Sequence, residues 1–258
     1  MNRPMLDPTK RFSNRVENYQ KYRPRYPTEI ISLLEKECGL TRDSVIADLG
    51  SGTGFLSELF LRNGNRVLGV EPNAEMRAAG ERLLADYPNF VSIDATAEAT
   101  TLPDCSVDFV TAGQAFHWFD REETHREFHR ILKTDGWVVI VWNTFPTDRS
   151  ALVKAYDDVL VRFGTDYREV AREIENSGIE KFFPPDQYKR ARFDFRQTFD
   201  WEGFKGRLLS ASYAPNADSA NYEPMLRDLR RVFDSHQKDE RVVFDYDTVV
   251  YYGQLAGE

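Results

Sequence analysis

The chain has little cysteine: Cys38 and Cys105 are the two thiols among 258 residues. That excludes a disulfide framework. With neither CxxC nor Cys/His spacing, no metal site is expected, and both thiols are expected to be reduced and structural. Long hydrophobic runs are also missing. No stretch approaches the roughly 20 apolar residues that cross a bilayer, so no membrane partner is expected. Met1-Asn-Arg-Pro-Met-Leu-Asp7 lacks the apolar centre of a signal peptide, and a cytoplasmic location is expected. Excess positive charge is absent too: a net charge of -8 argues against a general nucleic-acid-binding surface. The charge is uneven, however. Residues 1–26 carry seven basic residues (Arg3, Lys10, Arg11, Arg15, Lys21, Arg23, Arg25) and two acidic ones, Asp7 and Glu17, a local balance of +5. Such a segment could draw an anionic small molecule toward a pocket, or be a solvated tail.

The hydrophobic share, 41%, suffices for one large domain or for a core domain with a lid. Its most informative stretch is Val45-Ile-Ala-Asp48-Leu-Gly50-Ser51-Gly52-Thr-Gly54. Val45 to Leu49 suits a buried parallel strand, and the glycines allow a tight turn against a ligand. A second apolar run, Arg66 to Val70, leads into Glu71. A carboxylate at that tip can accept from both hydroxyls of a ribose lying across the glycine turn, each bond worth roughly 1.5 to 3 kcal/mol. The two strands thus imply an adenosine-like ligand.

From Ser44 to Asn143 short apolar runs alternate with helical patterns, as in a parallel sheet covered on both faces. The spacing predicts strands at 44–49, 66–71, 89–94, 107–114 and 136–143, with helices at 53–63, 73–87 and 121–133. Asn73 is a natural N-cap after Pro72. Beyond Phe145-Pro146 helices are predicted at 151–163, 167–174, 201–212 and 222–237. Period-2 stretches at 189–199 and 241–252 predict a closing antiparallel strand pair. The architecture expected is α/β, a Rossmann-like seven-stranded sheet with a terminal antiparallel pair and a helical cap from residues 146–188 and 200–238. Residues 1–145 would form an N-terminal lid segment and cofactor-binding core, and 146–258 the cap and last two strands.

Asp48-Leu-Gly-Ser-Gly-Thr-Gly54 followed by Glu71 resembles the cofactor loop of the class I S-adenosylmethionine-dependent methyltransferases, over residues 14–145. A dinucleotide oxidoreductase using NAD would place glycine at position 55, where Phe55 stands, and lacks the acidic residue two before the first glycine. The resemblance implies S-adenosylmethionine as cofactor and S-adenosylhomocysteine as product. It implies Asp48, Gly50, Ser51, Gly52, Gly54, Glu71, Pro72, Met76, Thr96, Ala97, Glu98 and Gln114 as cofactor-binding residues. In that family the stretch after the third strand holds adenine. Here it is Asp94-Ala-Thr96-Ala97-Glu98, with either Asp94 or Thr96 facing the exocyclic amine. Met76 could pack on adenine or belong to the core.

Gly113-Gln114-Ala115-Phe116-His117-Trp118-Phe119, Trp142-Asn143 and the segment Asn14 to Pro27 are similar to the subgroup containing trans-aconitate methyltransferase and its uncharacterised bacterial relatives. The implied acceptor is a small molecule methylated on a carboxylate or hydroxyl oxygen; a cofactor-binding regulatory protein without turnover is the non-enzyme alternative. Tyr22, Arg25, Phe116, His117, Trp118 and Trp142 are the substrate-binding candidates, and His117 is the catalytic one. A sulfonium offers no hydrogen-bond donor, so aromatic faces such as Phe116, Trp118 or Tyr19 could stabilise it; the same rings could equally be core. His117 could take a proton from a hydroxyl or amine, could only orient a carboxylate, or could be a packing histidine. An arginine in the N-terminal segment could hold a carboxylate bidentately. The segment is expected to be mobile without cofactor. His125 and His129 lack the glutamate of a zinc-protease helix and are expected on a solvated face.

Overall fold

A computed structural model of the chain describes residues 15–175, 178–183 and 187–255. Its elements in chain order are α1 (Val16–Tyr22), α2 (Glu29–Cys38), β1 (Val45–Leu49), α3 (Phe55–Asn63), β2 (Arg66–Val70), α4 (Ala74–Leu83), β3 (Phe90–Ile93) and β4 (Val107–Gly113). There follow α5 (Arg121–Ile131), β5 (Leu132–Thr144), α6 (Ala151–Phe163), α7 (Tyr167–Glu175), α8 (Ile179–Phe182), β6 (Tyr188–Phe199), α9 (Trp201–Leu209), α10 (Tyr222–His236) and β7 (Val242–Gly253). Arg3, Lys10, Arg11 and the rest of 1–14 lie outside the described residues, and with them most of the segment expected to be mobile.

The strands form one seven-stranded sheet ordered β3-β2-β1-β4-β5-β7-β6. The first five are parallel, and β7 runs antiparallel to both β5 and β6. Central strands covered on both faces must be apolar throughout, and Val138 to Val141 of β5 are indeed fully buried. The edge strand β6 differs: its inner residues Phe193, Phe195, Gln197 and Phe199 alternate with exposed Arg192, Asp194 and Arg196. Charges on that face blunt the free edge. Chain order reverses between β1 and β4, which opens a crevice at their carboxyl ends.

Three apolar clusters hold the molecule together. One lies between the sheet and α2 and α3, with Ile30, Leu34, Phe60 and Phe109. A second lies on the opposite face with Phe116, Phe128, Ile131 and Phe182. The third joins α6, α9 and α10 to β7 through Tyr156, Phe204, Leu229 and Phe244.

Boundaries moved where local chemistry intervened. The predicted helix 53–63 begins at Phe55 because Gly54, at φ +84°, forms its cap. The helix predicted to reach 87 ends at Leu83, and a turn (Tyr87 N–H to Leu84 O, 3.0 Å) precedes Pro88, whose ring disfavours helix before it. α5 ends at Ile131 because Cys105 and Ser106 donate to the carbonyls of Arg130 and Ile131, leading Leu132 into β5 four residues before the expected start. α9 stops at Leu209 rather than 212. Arg15 donates to Leu209 O (2.9 Å), and Arg23 to Ser210 O (3.2 Å) and Oγ (3.0 Å). Cations at a helix C-terminus satisfy its last carbonyls and complement its dipole. These arginines strap α1 to the cap; they are not a solvated tail. Cys38 is buried, and burial pushes its thiol up to about 12. Cys105, expected to be structural, is exposed, on a backbone position with φ +48°. His125 is also not simply solvated, since its ring stands edge-on 5.2 Å from Phe182.

Candidate active site

The glycine turn after β1 is held closed by Glu71. One carboxylate oxygen accepts the Gly52 N–H at 2.8 Å, and the other accepts Asn73 N–H at 2.8 Å. Asn73 in turn caps α4, its Oδ1 accepting Met76 N–H at 2.9 Å. Loop, anchor and helix start therefore form one unit. The turn demands glycine at Gly50: its φ is +64°, and a Cβ there would lie 2.6 Å from the Cβ of Ala115. Glu71 is only 8% exposed, and burial raises its pKa above the usual carboxylate range against the lowering pull of the two amides.

Asp48 sits beneath the turn and does not face a ligand space. It is fully buried, with Ser57 Oγ donating to it at 2.6 Å and Thr111 Oγ1 at 3.0 Å. Desolvation pushes its carboxyl up to about 6, against the two hydroxyls. It braces β1, α3 and β4.

A cleft at the β1/β4 crevice is lined by Tyr19, Gly50, Gly52, Glu71, Pro72, Asn73, Met76, Thr96 to Glu98, Gly113 to Ala115, Trp118 and Phe119. Of the expected cofactor residues, Gly50, Gly52, Glu71, Pro72, Met76, Thr96, Ala97, Glu98 and Gln114 meet here. Ser51 and Gly54 do not line it; Gly54 packs on α4, where a Cβ would lie 2.6 Å from Leu84 Cδ1. Asp94 points instead to Arg77, at 2.8 Å. The cleft fits an adenosyl ligand: a buried carboxylate stands at the ribose position, the backbone at Gly50 and Gly52 leaves room, and Pro72, Met76 and Ala97 offer an apolar wall beside polar Thr96 and Glu98.

A second chamber, of about 300 Å³, is lined by Tyr19, Arg23, Gln114, His117, Trp118, Trp142 to Phe145, Tyr167, Val170, Ala171, Arg207, Ser212 and Tyr213. Tyr19, Gln114 and Trp118 line both spaces, so the two meet at a shared wall. Gln114 holds a left-handed backbone, φ +59°, unusual for a side chain of its size, and its Nε2 donates to Asn143 O at 2.9 Å. Asn143 is itself fixed by Thr248 Oγ1, at 2.6 Å. The chamber lining carries two formal positive charges, Arg23 and Arg207, and no aspartate or glutamate.

His117, Trp118 and Trp142 are thus brought together as expected from the sequence. Three other candidates lie elsewhere. Phe116 is fully buried in the core, edge-on to Phe182 at 4.8 Å. Tyr22 packs on α9 at Gly206, leaving no room for a Cβ. Arg25 pairs with Glu58 and stacks 4.1 Å from the Phe55 ring centroid. These three fill space or cover helices at the site's rim. Sequence reasoning missed Arg207, Tyr167 and Tyr213, which come from cap helices and a loop; nothing in their local pattern distinguishes them from surface residues.

Comparison with known proteins places this geometry in context. Residues 47–140 match the family model described as a methyltransferase domain. An uncharacterized methyltransferase-like protein of Schizosaccharomyces pombe is 27% identical over 94% of each chain. An uncharacterized methyltransferase of Mycobacterium tuberculosis is 34% identical over 61% of this chain and 62% of its own length. Against that protein, the chain spans less than two thirds of the relative's length. Among solved structures, a provisionally described type II methyltransferase of Anaeromyxobacter dehalogenans superposes with TM-score 0.64 at 22% identity, covering 92% of this chain and 100% of the other. A methyltransferase, likewise provisionally assigned to an antibiotic biosynthesis pathway of Anabaena variabilis, gives 0.61 at 23% identity over 92% and 100%. The matched domain and these relatives support a class I S-adenosylmethionine-dependent methyltransferase. Among the described residues no helix is long and apolar enough to cross a membrane.

Proposed function

We propose that this protein transfers the methyl group of S-adenosylmethionine to a small molecule held in the 300 Å³ chamber, on a carboxylate or hydroxyl oxygen, as its likeness to the trans-aconitate methyltransferase subgroup suggests. The observation that carries the reading is the shared wall. Tyr19, Gln114 and Trp118 border both the nucleoside cleft and the chamber, so a ligand in one faces a ligand in the other. The chamber's size suits a metabolite rather than a macromolecule. The same reading has the protein working in the cytoplasm.

Bound S-adenosylmethionine would supply a methyl carbon already activated by positive sulfur. The chain's own residues then bind, orient and exclude water. Glu71 receives the ribose hydroxyls, and Thr96 to Glu98 border adenine. Tyr19 and Trp118, at the shared wall, offer aromatic faces to a cation that has no hydrogen to donate. Gln114, pinned by Asn143, fixes the spacing between the two spaces. Alignment of this kind reaches effective molarities on the order of 10⁵ M or more, enough to carry most of the rate without a nucleophilic side chain. His117 borders the chamber and is the group able to accept a proton from a hydroxyl acceptor; a carboxylate acceptor has none to lose, and there His117 orients the anion.

Methyl transfer from labelled S-adenosylmethionine to a panel of small acids and alcohols tests the reading. Ester formation that survives His117→Ala supports carboxylate transfer with His117 as an orienting group. A loss above roughly 100-fold in His117→Ala, together with a low-pH limb in the wild type, supports His117 as the base. Binding of NAD without binding of S-adenosylhomocysteine overturns the assignment. Binding of S-adenosylhomocysteine with no turnover on any acceptor points to a regulatory protein instead.

A further inference from the structure

A buried arginine normally has a carboxylate beside it, because a guanidinium keeps its charge at any ordinary pH and loses its hydration on burial. Arg207, in the middle of α9, breaks that rule. It is 2% exposed, and among the described residues no aspartate or glutamate pairs with it. Its Nε donates to Tyr246 Oη at 2.8 Å, and its guanidinium carbon lies 5.6 Å from the Tyr246 ring centroid and 5.9 Å from that of Phe244. Its Nη1 is fully buried with no hydrogen-bond partner. Arg207 belongs to the wall of the second chamber, where Trp142 contributes another buried donor, Nε1, that has no partner either. The neighbouring arginine, Arg23, is already engaged with Ser210. The charge arrangement is therefore fixed by tertiary structure: a desolvated cation, held by a phenol and two ring faces, stands in the wall of a chamber whose lining has no acidic side chains. An uncompensated cation in that wall favours an anionic ligand.

We propose that Arg207 anchors a carboxylate of the methyl acceptor, and that this carboxylate is not the group that receives the methyl. The inference rests on the reading of the chamber as the acceptor site. Two features separate anchor from reacting atom. Arg207 does not border the nucleoside cleft, whereas Gln114, Trp118 and Tyr19 border both spaces. A carboxylate accepting charge-assisted bonds from a guanidinium also has its lone pairs engaged and its charge neutralised, which lowers its nucleophilicity. The acceptor is accordingly a bifunctional small acid: one carboxylate on Arg207, and a second oxygen, hydroxyl or carboxyl, presented toward His117 and Gln114.

The test uses the full chain with S-adenosylhomocysteine present and three probe acids, benzoate, succinate and trans-aconitate, each beside its neutral amide at matched ionic strength. Binding is read by calorimetry. At least one acid is expected to bind the wild type while its amide does not, and Arg207→Met, similar in length but uncharged, should weaken that acid by roughly 30-fold or more. Arg207→Lys, which keeps the charge but not the fork, should recover part of the loss. Thermal unfolding without any acid separates this role from a structural one: Arg207→Met should melt at or above the wild-type temperature, because an unpaired buried charge is removed. Equal acid affinity in wild type and Arg207→Met overturns the proposal, as does failure of every acid to bind the wild type beyond its amide. A lower melting temperature in Arg207→Met with acid affinity unchanged assigns the residue to packing. If monocarboxylic benzoate is itself methylated when S-adenosylmethionine replaces S-adenosylhomocysteine, the separation of anchor and acceptor falls. Acid binding that depends on Arg207 in a protein that never binds S-adenosylhomocysteine would leave the anchor standing and remove the methyl-transfer reading.

Discussion

Replacing Glu71 by glutamine tests the nucleoside cleft at its most constrained point. The carboxylate accepts two backbone N–H groups, from Gly52 and Asn73, both at 2.8 Å. Glutamine supplies one oxygen and one NH2, so one of those amides would face a donor. Hydrogen bonds to a charged acceptor contribute about 1.5 to 3 kcal/mol each and neutral ones about 0.5 to 1.5, so exchanging two ribose bonds from charged to neutral costs about 2 to 3 kcal/mol of binding. That corresponds to roughly 30- to 150-fold in affinity. Stability should change less, because burial already raises the Glu71 pKa and removing the charge relieves that cost. Calorimetric titration with S-adenosylhomocysteine at pH 7.5 measures the effect, with thermal unfolding confirming that the variant is folded. Glu98→Gln is the control: Glu98 is half-buried at the cleft's other end and should lose only about a neutral hydrogen bond's worth of binding. The wild type should also bind more weakly as pH falls through the raised pKa of Glu71, and Glu71→Gln should lack that limb. A dissociation constant for Glu71→Gln within threefold of wild type would refute the ribose assignment.

Three further outcomes follow from the same geometry. Gly50→Ala forces a side chain onto a φ of +64° and toward Ala115; it should cost about 2 kcal/mol or more in urea unfolding and weaken S-adenosylhomocysteine, and an unchanged midpoint would count against the loop geometry. Asp48 has a folded pKa of about 6, above its ordinary value near 4, so it contributes stability that is fully present at low pH and lost as pH rises through 6. Relative to Asp48→Asn, wild type should lose up to about 3 kcal/mol between pH 4 and 7.5 in urea titrations, and parallel curves would contradict the burial of a charged Asp48. Gly206→Ala would drive a methyl into the Tyr22 ring and lift α1 off α9; faster tryptic cleavage after Lys21 and Arg25 should report it, and an unaltered rate would show that the strap tolerates the shift.

How far the site could be read ahead of the structure depended on whether its chemistry is local. Gly50, Gly52 and Glu71 were legible because a strand tip, a turn and a following acid announce themselves within a few residues, and the parallel-sheet alternation placed them at strand ends. The antiparallel pair β6 and β7 was legible through period-2 patterning, even though β7 inserts between β5 and β6. Helix α2, by contrast, was not anticipated, although Ile30, Leu34 and Cys38 share its buried face. Phe116 and Trp118 looked equivalent, two aromatics one residue apart at a strand tip. Only the turn at Phe116–Trp118 decided that Phe116 enters the core and Trp118 the chamber.

The sequence alone determined the sheet, the glycine turn and the carboxylate that closes it, since each follows from residue spacing within one strand-turn-helix unit. Tertiary structure alone decided which arginines serve what: Arg15 and Arg23 cap α9, Arg25 pairs with Glu58, and Arg207 is left buried without an acid. A guanidinium's role is set by the charges and surfaces that the fold brings to it from distant segments, and those distances are not encoded in any local pattern.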